Sequence, residues 1–334
     1  MKYFDIGKVV SYNRNFNFIN GLRSIGKTYT TLKYIIRKCV EKQVEFVYIV
    51  RTKNEKKNNA LEEGLEKVLV REFPEFDFEI TAEEITLDGV SIGRCIALTE
   101  AYEIKKHSFP NVKYMVMDEY ILENKTGGRY VNGWNEPDLL LSIYHTIDRE
   151  EDRVVCFFLG NNISFYNPYH MHPAFNIPHI EPGNIWCNEN VLFYWAVPSE
   201  ELQEEKSHSK FLNMIQNTKY GTYAAKGEYV EDSIVFIEKM PAACRPLFTI
   251  LCDEHKFTIW NDHDILYISD NVTDTAPFIF ALTMPDHNES SYFTKSSKLN
   301  FHLDLLRKSY INAKVRFTSP EVKALSEPAL KLLL

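Results

Sequence analysis

Apolar residues in the first half of the chain come in short dense runs, separated by stretches with helical spacing. Residues 16–20 alternate as a strand does and stop at Gly21; Tyr29, Leu32, Ile35 and Ile36 then recur at helical intervals, so 28–40 reads as a helix. Residues 45–50 form a second apolar run of buried-strand type, which makes the opening a β–α–β unit and favours a parallel sheet. A helix is expected over 60–72, and period-2 pieces in 76–98 flank Asp88-Gly89, a hairpin turn signal. Residues 113–117 and 154–159 supply two more core strands around a helix at 136–149, and 191–197 a fifth. No short-period repeat or low-complexity tract is visible.

After Pro198 the pattern changes. Residues 199–210 are highly charged and helical in spacing, and strand signals follow at 233–237, 247–252, 257–260 and 265–269, with closing helices from 300 onward. At 334 residues the chain is long enough for two cores. The division expected is a nucleotide-binding α/β domain over 1–198, a helical connector over 199–225, and a smaller α+β domain over 226–334. No apolar run reaches the roughly 18 residues that span a bilayer, and the start carries no secretory or transit pattern, so a cytosolic protein is expected. Six scattered cysteines, none in a C-x-x-C pair, indicate neither a disulfide framework nor a zinc site, and His170, His172 and His179 read as part of a proline-containing loop. The net charge of −8 is uneven: residues 1–60 hold 13 Lys/Arg against 4 Asp/Glu, and residues 290–334 hold 8 against 3. Two basic regions on an acidic body suit either solvated faces or nucleic-acid contact.

The chemistry centres on Gly21-Leu22-Arg23-Ser24-Ile25-Gly26-Lys27-Thr28, a full match to G-x-x-x-x-G-K-[ST] between a strand and a helix. Such a loop wraps backbone N–H groups around a polyphosphate, with the helix N-terminus adding positive charge, Lys27 bridging the outer phosphates and Thr28 ligating Mg2+. The complementary half is Met115-Val116-Met117-Asp118-Glu119: Asp118 at the end of an apolar strand is placed for the metal, and Glu119 immediately beyond for a water aligned on the γ-phosphate. That pairing indicates ATP hydrolysis and resembles the additional-strand, catalytic-glutamate (ASCE) division of P-loop proteins, in which 154–159 would be the inserted strand. At its tip Asn161 is placed either to orient the attacking water or to make a Gly-Asn turn. Arg149, ahead of Arg153 in preference, is the candidate arginine finger for a neighbouring subunit; the alternative is a charged loop. Arg51 is a further candidate for nucleotide contact, and Lys105 and Lys106 for action in trans or on DNA.

The P-loop octamer, Met-Val-Met-Asp-Glu-Tyr some 90 residues later, and Phe-Phe-Leu-Gly-Asn-Asn after an Arg-bearing helix together resemble the DNA-encapsidation ATPases of small tailed phages, the phi twenty-nine-like group related to large terminases. The resemblance covers residues 16–165 well and the rest loosely. It implies an ATP-driven motor, an oligomeric and pentameric ring at the portal of an empty capsid in the host cytoplasm, moving double-stranded DNA inward; a packaging RNA is a candidate partner. It also implies that the C-terminal domain is RNase H-like, where Asp253 lacks two companion acids at matching strand ends, so nuclease activity is not expected. Position by position, the resemblance puts Lys27 and Thr28 on phosphate and magnesium, Asp118 and Glu119 on metal and water, and Arg149 on the neighbour's nucleotide. The rival readings are a helicase or loader of replication or recombination, more distantly a kinase, and a non-enzymatic nucleotide switch; no Asn-Lys-x-Asp motif for guanine is present.

Overall fold

The computed structural model describes residues 3–57, 60–122, 130–215, 218, 229, 235–293 and 300–333. The chain divides into two compact units, Met1–Glu231 and Asp232–Leu334, where the sequence pattern placed the start of the second domain at 226. In chain order the first unit begins with α1 (Gly7–Val10), β1 (Phe16–Gly21), α2 (Lys27–Lys42), β2 (Glu45–Val50), α3 (Lys53–Lys57), α4 (Ala60–Glu72), β3 (Phe78–Ile80), β4 (Glu84–Leu87) and β5 (Val90–Ala97). It continues with β6 (Val112–Asp118), α5 (Glu136–Asp148), β7 (Val155–Asn161), α6 (Pro168–Met171), β8 (Ile185–Cys187), β9 (Val191–Ala196), α7 (Glu200–Ser207) and α8 (Lys210–Ile215).

Nine strands form one sheet in the order β3-β4-β5-β2-β6-β7-β1-β9-β8. From β5 to β9 every neighbouring pair is parallel, and antiparallel strands close both edges. The apolar runs are continuous because both faces are covered. Phe18, Met115, Met117, Cys156 and Phe158 face one core with Leu140, Ile143 and Ile147 of α5. Their neighbours Ile19, Tyr114, Val116, Phe157 and Leu159 face the other, with Leu32, Ile35 and Ile36 of α2 and Leu65, Val68 and Leu69 of α4. The strand at 154–159 does lie between the P-loop strand β1 and the acid-bearing β6, so the sheet is that of an additional-strand P-loop protein. The expected hairpin is also present: Asp88 and Gly89, at φ 47° and 74°, turn β4 into β5.

The second unit contains β10 (Arg245–Cys252), β11 (His255–Asp262), β12 (Ile265–Ser269), β13 (Ile279–Ala281), β14 (Tyr292–Phe293), α9 (Asn300–Ile311), β15 (Val315–Phe317) and α10 (Pro320–Leu333). Its sheet runs β14-β13-β10-β11-β12-β15. The antiparallel meander β10-β11-β12, with β13 and β14 added parallel beyond β10, is the strand order of an RNase H-like sheet, to which β15 adds a sixth strand. Phe248, Ile250 and Cys252 alternate onto one core with Leu303, Leu306 and Val322 of the helices. The strand expected at 233–237 is not found among the described residues: 235 and 236 lie in a turn, Ile237 makes one isolated bridge to Phe317, and 233 and 234 lie outside them. Within the connector expected at 199–225, the described residues form the helices α7 and α8, and residues 216–217 and 219–225 lie outside the described set.

Candidate active site

Parallel strands that end in register create a crevice at their carboxyl ends. Here Gly21 pairs with Asn161, Asn20 with Gly160, and Asp118 with Leu159, so the ends of β1, β7 and β6 lie side by side. The loop from Gly21 to Thr28 then turns into α2. Ser24 at φ 62° and Gly26 at φ 91° give it left-handed backbone, which glycine adopts without strain and which turns the first N–H groups of α2 toward the crevice. Leu22 and Ile25 are 4% and 1% exposed and pack in the core, so they serve the loop through backbone alone, while Arg23 and Ser24 are exposed.

Side chains of the two motifs meet at these strand ends. Lys27 is buried, and its Nζ donates to the carbonyls of Gly21 (2.9 Å) and Leu22 (2.8 Å) and to Asn161 Oδ1 (3.4 Å). Thr28 Oγ1 donates to Asp118 Oδ2 at 2.8 Å. Burial pushes the Asp118 carboxyl up in pKa, while the hydrogen bonds from the Thr28 hydroxyl and the Glu119 N–H pull the other way. A hydroxyl and a carboxylate converging in this way suit a small hard cation whose remaining ligands come from phosphate and water. Among the described residues no group of three or more His, Cys, Asp or Glu side chains is placed to hold a metal. Glu119 is exposed and holds a left-handed backbone, φ 53°, just past β6.

The Glu119 turn is held from behind. Arg51, directly after β2, is 6% exposed and donates through Nη1 to the Glu119 carbonyl (2.9 Å) and through Nη2 to the Tyr120 carbonyl (2.6 Å). Its Nε pairs with Glu136 Oε1 at 3.1 Å, and Glu136, fully buried at the start of α5, also accepts from Tyr169 Oη (2.8 Å) and the Val131 N–H (2.6 Å). Burial pushes the Glu136 carboxyl up, and Arg51 acts first among the groups that favour its charge. Arg51 is therefore corrected from a nucleotide-contact candidate to a buried clamp. A strand-end arginine looks the same in sequence whether it faces solvent or folds back; the pairing with Glu136, 85 residues away, was not legible.

Asn161 was open between a turn and a catalytic amide. It is the last residue of β7, where its carbonyl accepts from the Ile163 N–H at 2.8 Å and its Oδ1 accepts from Lys27. Arg149 and Arg153 are placed differently. Arg153 donates to the carbonyls of Pro110 (3.3 Å), Phe109 (2.9 Å), Val112 and Ile147. Arg149, by contrast, caps the end of α5 in left-handed conformation, φ 56°, and is exposed. Lys105 and Lys106 are exposed on a short 3-10 turn. His170 is not in a loop: it lies in α6, buried against Tyr120. Sequence reasoning missed the cavity of about 660 Å³ beside the loop, lined by Tyr3, Gly26, Tyr29, Lys33, Arg37 and Arg71.

In the second unit Asp253 sits in the β10–β11 turn at φ 48°, and the Asp286 carboxylate accepts the N–H groups of Asp253 (2.8 Å) and Glu254 (2.9 Å). Asp286 thereby holds a hairpin.

Residues 1–331 match the family described as podovirus DNA encapsidation protein (Gp16). The chain is 28% identical over 326 residues to the DNA packaging protein of Bacillus phage B103, covering 97% of this chain and 98% of that one. It is also 28% identical to the DNA packaging protein of Bacillus phage phi29 over 328 residues, 96% and 95% of the two chains. Among solved structures it is similar to a chain of the bacteriophage Phi-29 viral genome packaging motor assembly, with a TM-score of 0.75, 26% identity and full coverage of both. The crystal structure of the N-terminal domain of the phi29 DNA packaging ATPase matches 60% of this chain and 97% of its own, with 28% identity and a TM-score of 0.52.

Proposed function

Since this chain belongs to the podovirus DNA encapsidation protein family, we propose that it is an ATP-hydrolysing motor that moves double-stranded DNA into a preformed capsid, working as a ring at the portal. The observation that carries the enzymatic half is the convergence of Lys27, Asn161, Thr28 and Asp118 at three adjoining strand ends, with Glu119 one residue beyond. The helicase or loader reading shares that site but has no support from the relatives, which are DNA packaging proteins.

In this reading the amides from Gly21 to Thr28 hold the polyphosphate, Lys27 swings from the loop carbonyls to the outer phosphates, and Asn161 is within reach of the same group. Thr28 and Asp118 hold Mg2+, which neutralises phosphate charge when bound. Glu119 accepts a proton from water as its oxygen bonds to the γ-phosphorus; the bond to the bridging oxygen breaks, and ADP and phosphate leave. The cavity beside Gly26 has aromatic walls in Tyr3 and Tyr29 suited to a nucleoside. Arg149, exposed at a helix end, is the group free to reach a neighbouring subunit's phosphates, whereas Arg153 is committed to its own backbone. The ring is pentameric by family resemblance, acts transiently in the host cytoplasm, and grips DNA phosphates without reading bases. No helix among the described residues is long and apolar enough to cross a membrane.

Phosphate release by the purified chain, with DNA and with and without portal-bearing empty capsids, tests the function: stimulation by both is expected, and strand unwinding without portal binding would favour the helicase. The trans role makes a separate prediction. Arg149→Ala subunits mixed with Glu119→Gln subunits, each inactive alone, should recover turnover, because Arg149 of the second reaches the intact Glu119 site of the first. No recovery in the mixture would assign Arg149 to its own subunit or to no catalytic role.

A further inference from the structure

The loop that holds phosphate begins one residue after Asn20, and the carboxylate that acts on water lies one residue before Tyr120. These two flanking residues are joined directly. Tyr120 Oη donates to Asn20 Oδ1 at 2.5 Å, across a sequence separation of 100 residues, and both side chains are fully buried. They belong to β1 and to the turn after β6, which are not neighbours: β7 lies between them. The contact is possible because β7 carries Gly160 at the crossing point. A Cβ there would stand 2.7 Å from Tyr120 Cε1 and 2.8 Å from Asn20 Oδ1, closer than real side chains approach. The inserted strand is thus thinned at the position where the Tyr120 side chain passes over it to the P-loop strand.

The junction is braced on its far side. His170 Nε2 lies 2.6 Å from Tyr120 Oη, and Asn20 Nδ2 donates to Tyr229 Oη at 3.2 Å. Burial pushes the His170 imidazole down to about 3, so it stays neutral. On the near side the Tyr120 N–H donates to the Leu159 carbonyl at 3.3 Å, and Arg51 holds the carbonyls on both sides of that peptide.

We propose that Tyr120, bonded to Asn20 over Gly160, is a positioning residue that sets the distance between the phosphate-holding loop and the Glu119 carboxylate. This rests on the reading of Glu119 as the group that activates water. The need for such a gauge is geometric: proton abstraction requires contact at hydrogen-bond distance, and a displacement of about 1 Å lowers rate about 100-fold. Glu119 itself is exposed and its left-handed backbone is unfavourable for a non-glycine residue, so its placement must come from neighbours. Residue 120 is the adjoining anchor, and Asn20 is the last fixed point before the loop.

Tyr120→Phe removes the hydroxyl and keeps the ring; Gly160→Ala leaves every hydrogen-bonding group in place and wedges the pair apart. Each is measured in the full chain for ATP turnover, KM, binding of a fluorescent non-hydrolysable ATP analogue, and melting temperature. Both should lower kcat about tenfold or more while KM and analogue binding stay within about twofold. Asn20→Leu combined with Tyr120→Phe should be no slower than the slower single variant, since one contact is lost in all three. Wild-type kcat in Tyr120→Phe and Gly160→Ala, or a fall in kcat matched by the same fall in analogue binding, would overturn the proposal and leave the junction a packing feature. Glu119→Gln runs alongside: if it turns over as wild type does, the reading of Glu119 fails on its own account and the gauge has nothing to position.

Discussion

Glu119→Gln is expected to bind ATP as the wild type does and to hydrolyse it about 100-fold or more slowly. Glutamine keeps the shape of the side chain, and Glu119 is exposed beyond β6, so neither the core nor the phosphate loop depends on its charge. Glu119 joins the nucleotide end of the site through its backbone N–H, which donates to Asp118 Oδ1 at 2.9 Å and which glutamine keeps. What glutamine lacks is the basic oxygen that takes the proton of water. The expected signature is therefore a kcat loss with KM retained, measured by phosphate release together with equilibrium binding of a non-hydrolysable analogue. Lys27→Ala should fail earlier, in binding, because its ammonium is the one side-chain cation in contact with Asn161 and the loop carbonyls among the described residues. A Glu119→Gln protein with wild-type turnover would remove the water-activating role from this residue.

The second large effect lies behind the site. Removing one partner of the Arg51–Glu136 pair should destabilise the first unit by about 3–5 kcal/mol, since the survivor would be a buried and unpaired charge. Glu136 is 0% exposed and also satisfies the Tyr169 hydroxyl and the Val131 N–H, so Glu136→Ala strands three donors at once. For a unit of this size that corresponds to a fall in melting temperature on the order of 10 °C. Arg51→Met combined with Glu136→Leu should lose less than the sum of the single variants, because no charge is left buried. Calorimetry of the three proteins checks this. A Glu136→Ala protein that melts within about 2 °C of wild type would mean that water reaches the pair and the clamp contributes little.

Much of the fold could be read along the chain, and the reason is specific. In β2, β6 and β7 both faces are buried and each strand carries an apolar run, 46–50, 114–117 and 155–159, while β1 alternates Phe and Asn; each strand leads to a residue that matters: Arg51, Asp118, Asn161 and Gly21. The insertion of β7 between β1 and β6 was legible through resemblance, since an Asp118-Glu119 pair after a P-loop is similar to that of additional-strand P-loop proteins. In the second unit the region around 233–237 carried strand composition, but among its described residues, 235–237, the one bridge is that of Ile237. Composition could not show that, because strand formation there depends on finding an open sheet edge. The polar residues that hold Glu119 were hidden for a different cause. Asn20, Tyr120, Gly160 and His170 are ordinary in their local settings, and their meaning lies in contacts across 50 and 100 residues. Glu136 read as a helix start, yet it is a buried ion-pair partner.

The central claim is that a triphosphate seated between Gly21 and Thr28 presents its terminal phosphate to Glu119. A crystal structure of the chain with magnesium and a non-hydrolysable ATP analogue tests it most directly. The account predicts the γ-phosphate in contact with Lys27 Nζ, the cation on Thr28 and Asp118, and the Glu119 carboxylate facing the γ-phosphorus across room for one water. An analogue bound elsewhere, or a Glu119 carboxylate opening onto a different crevice, would contradict it.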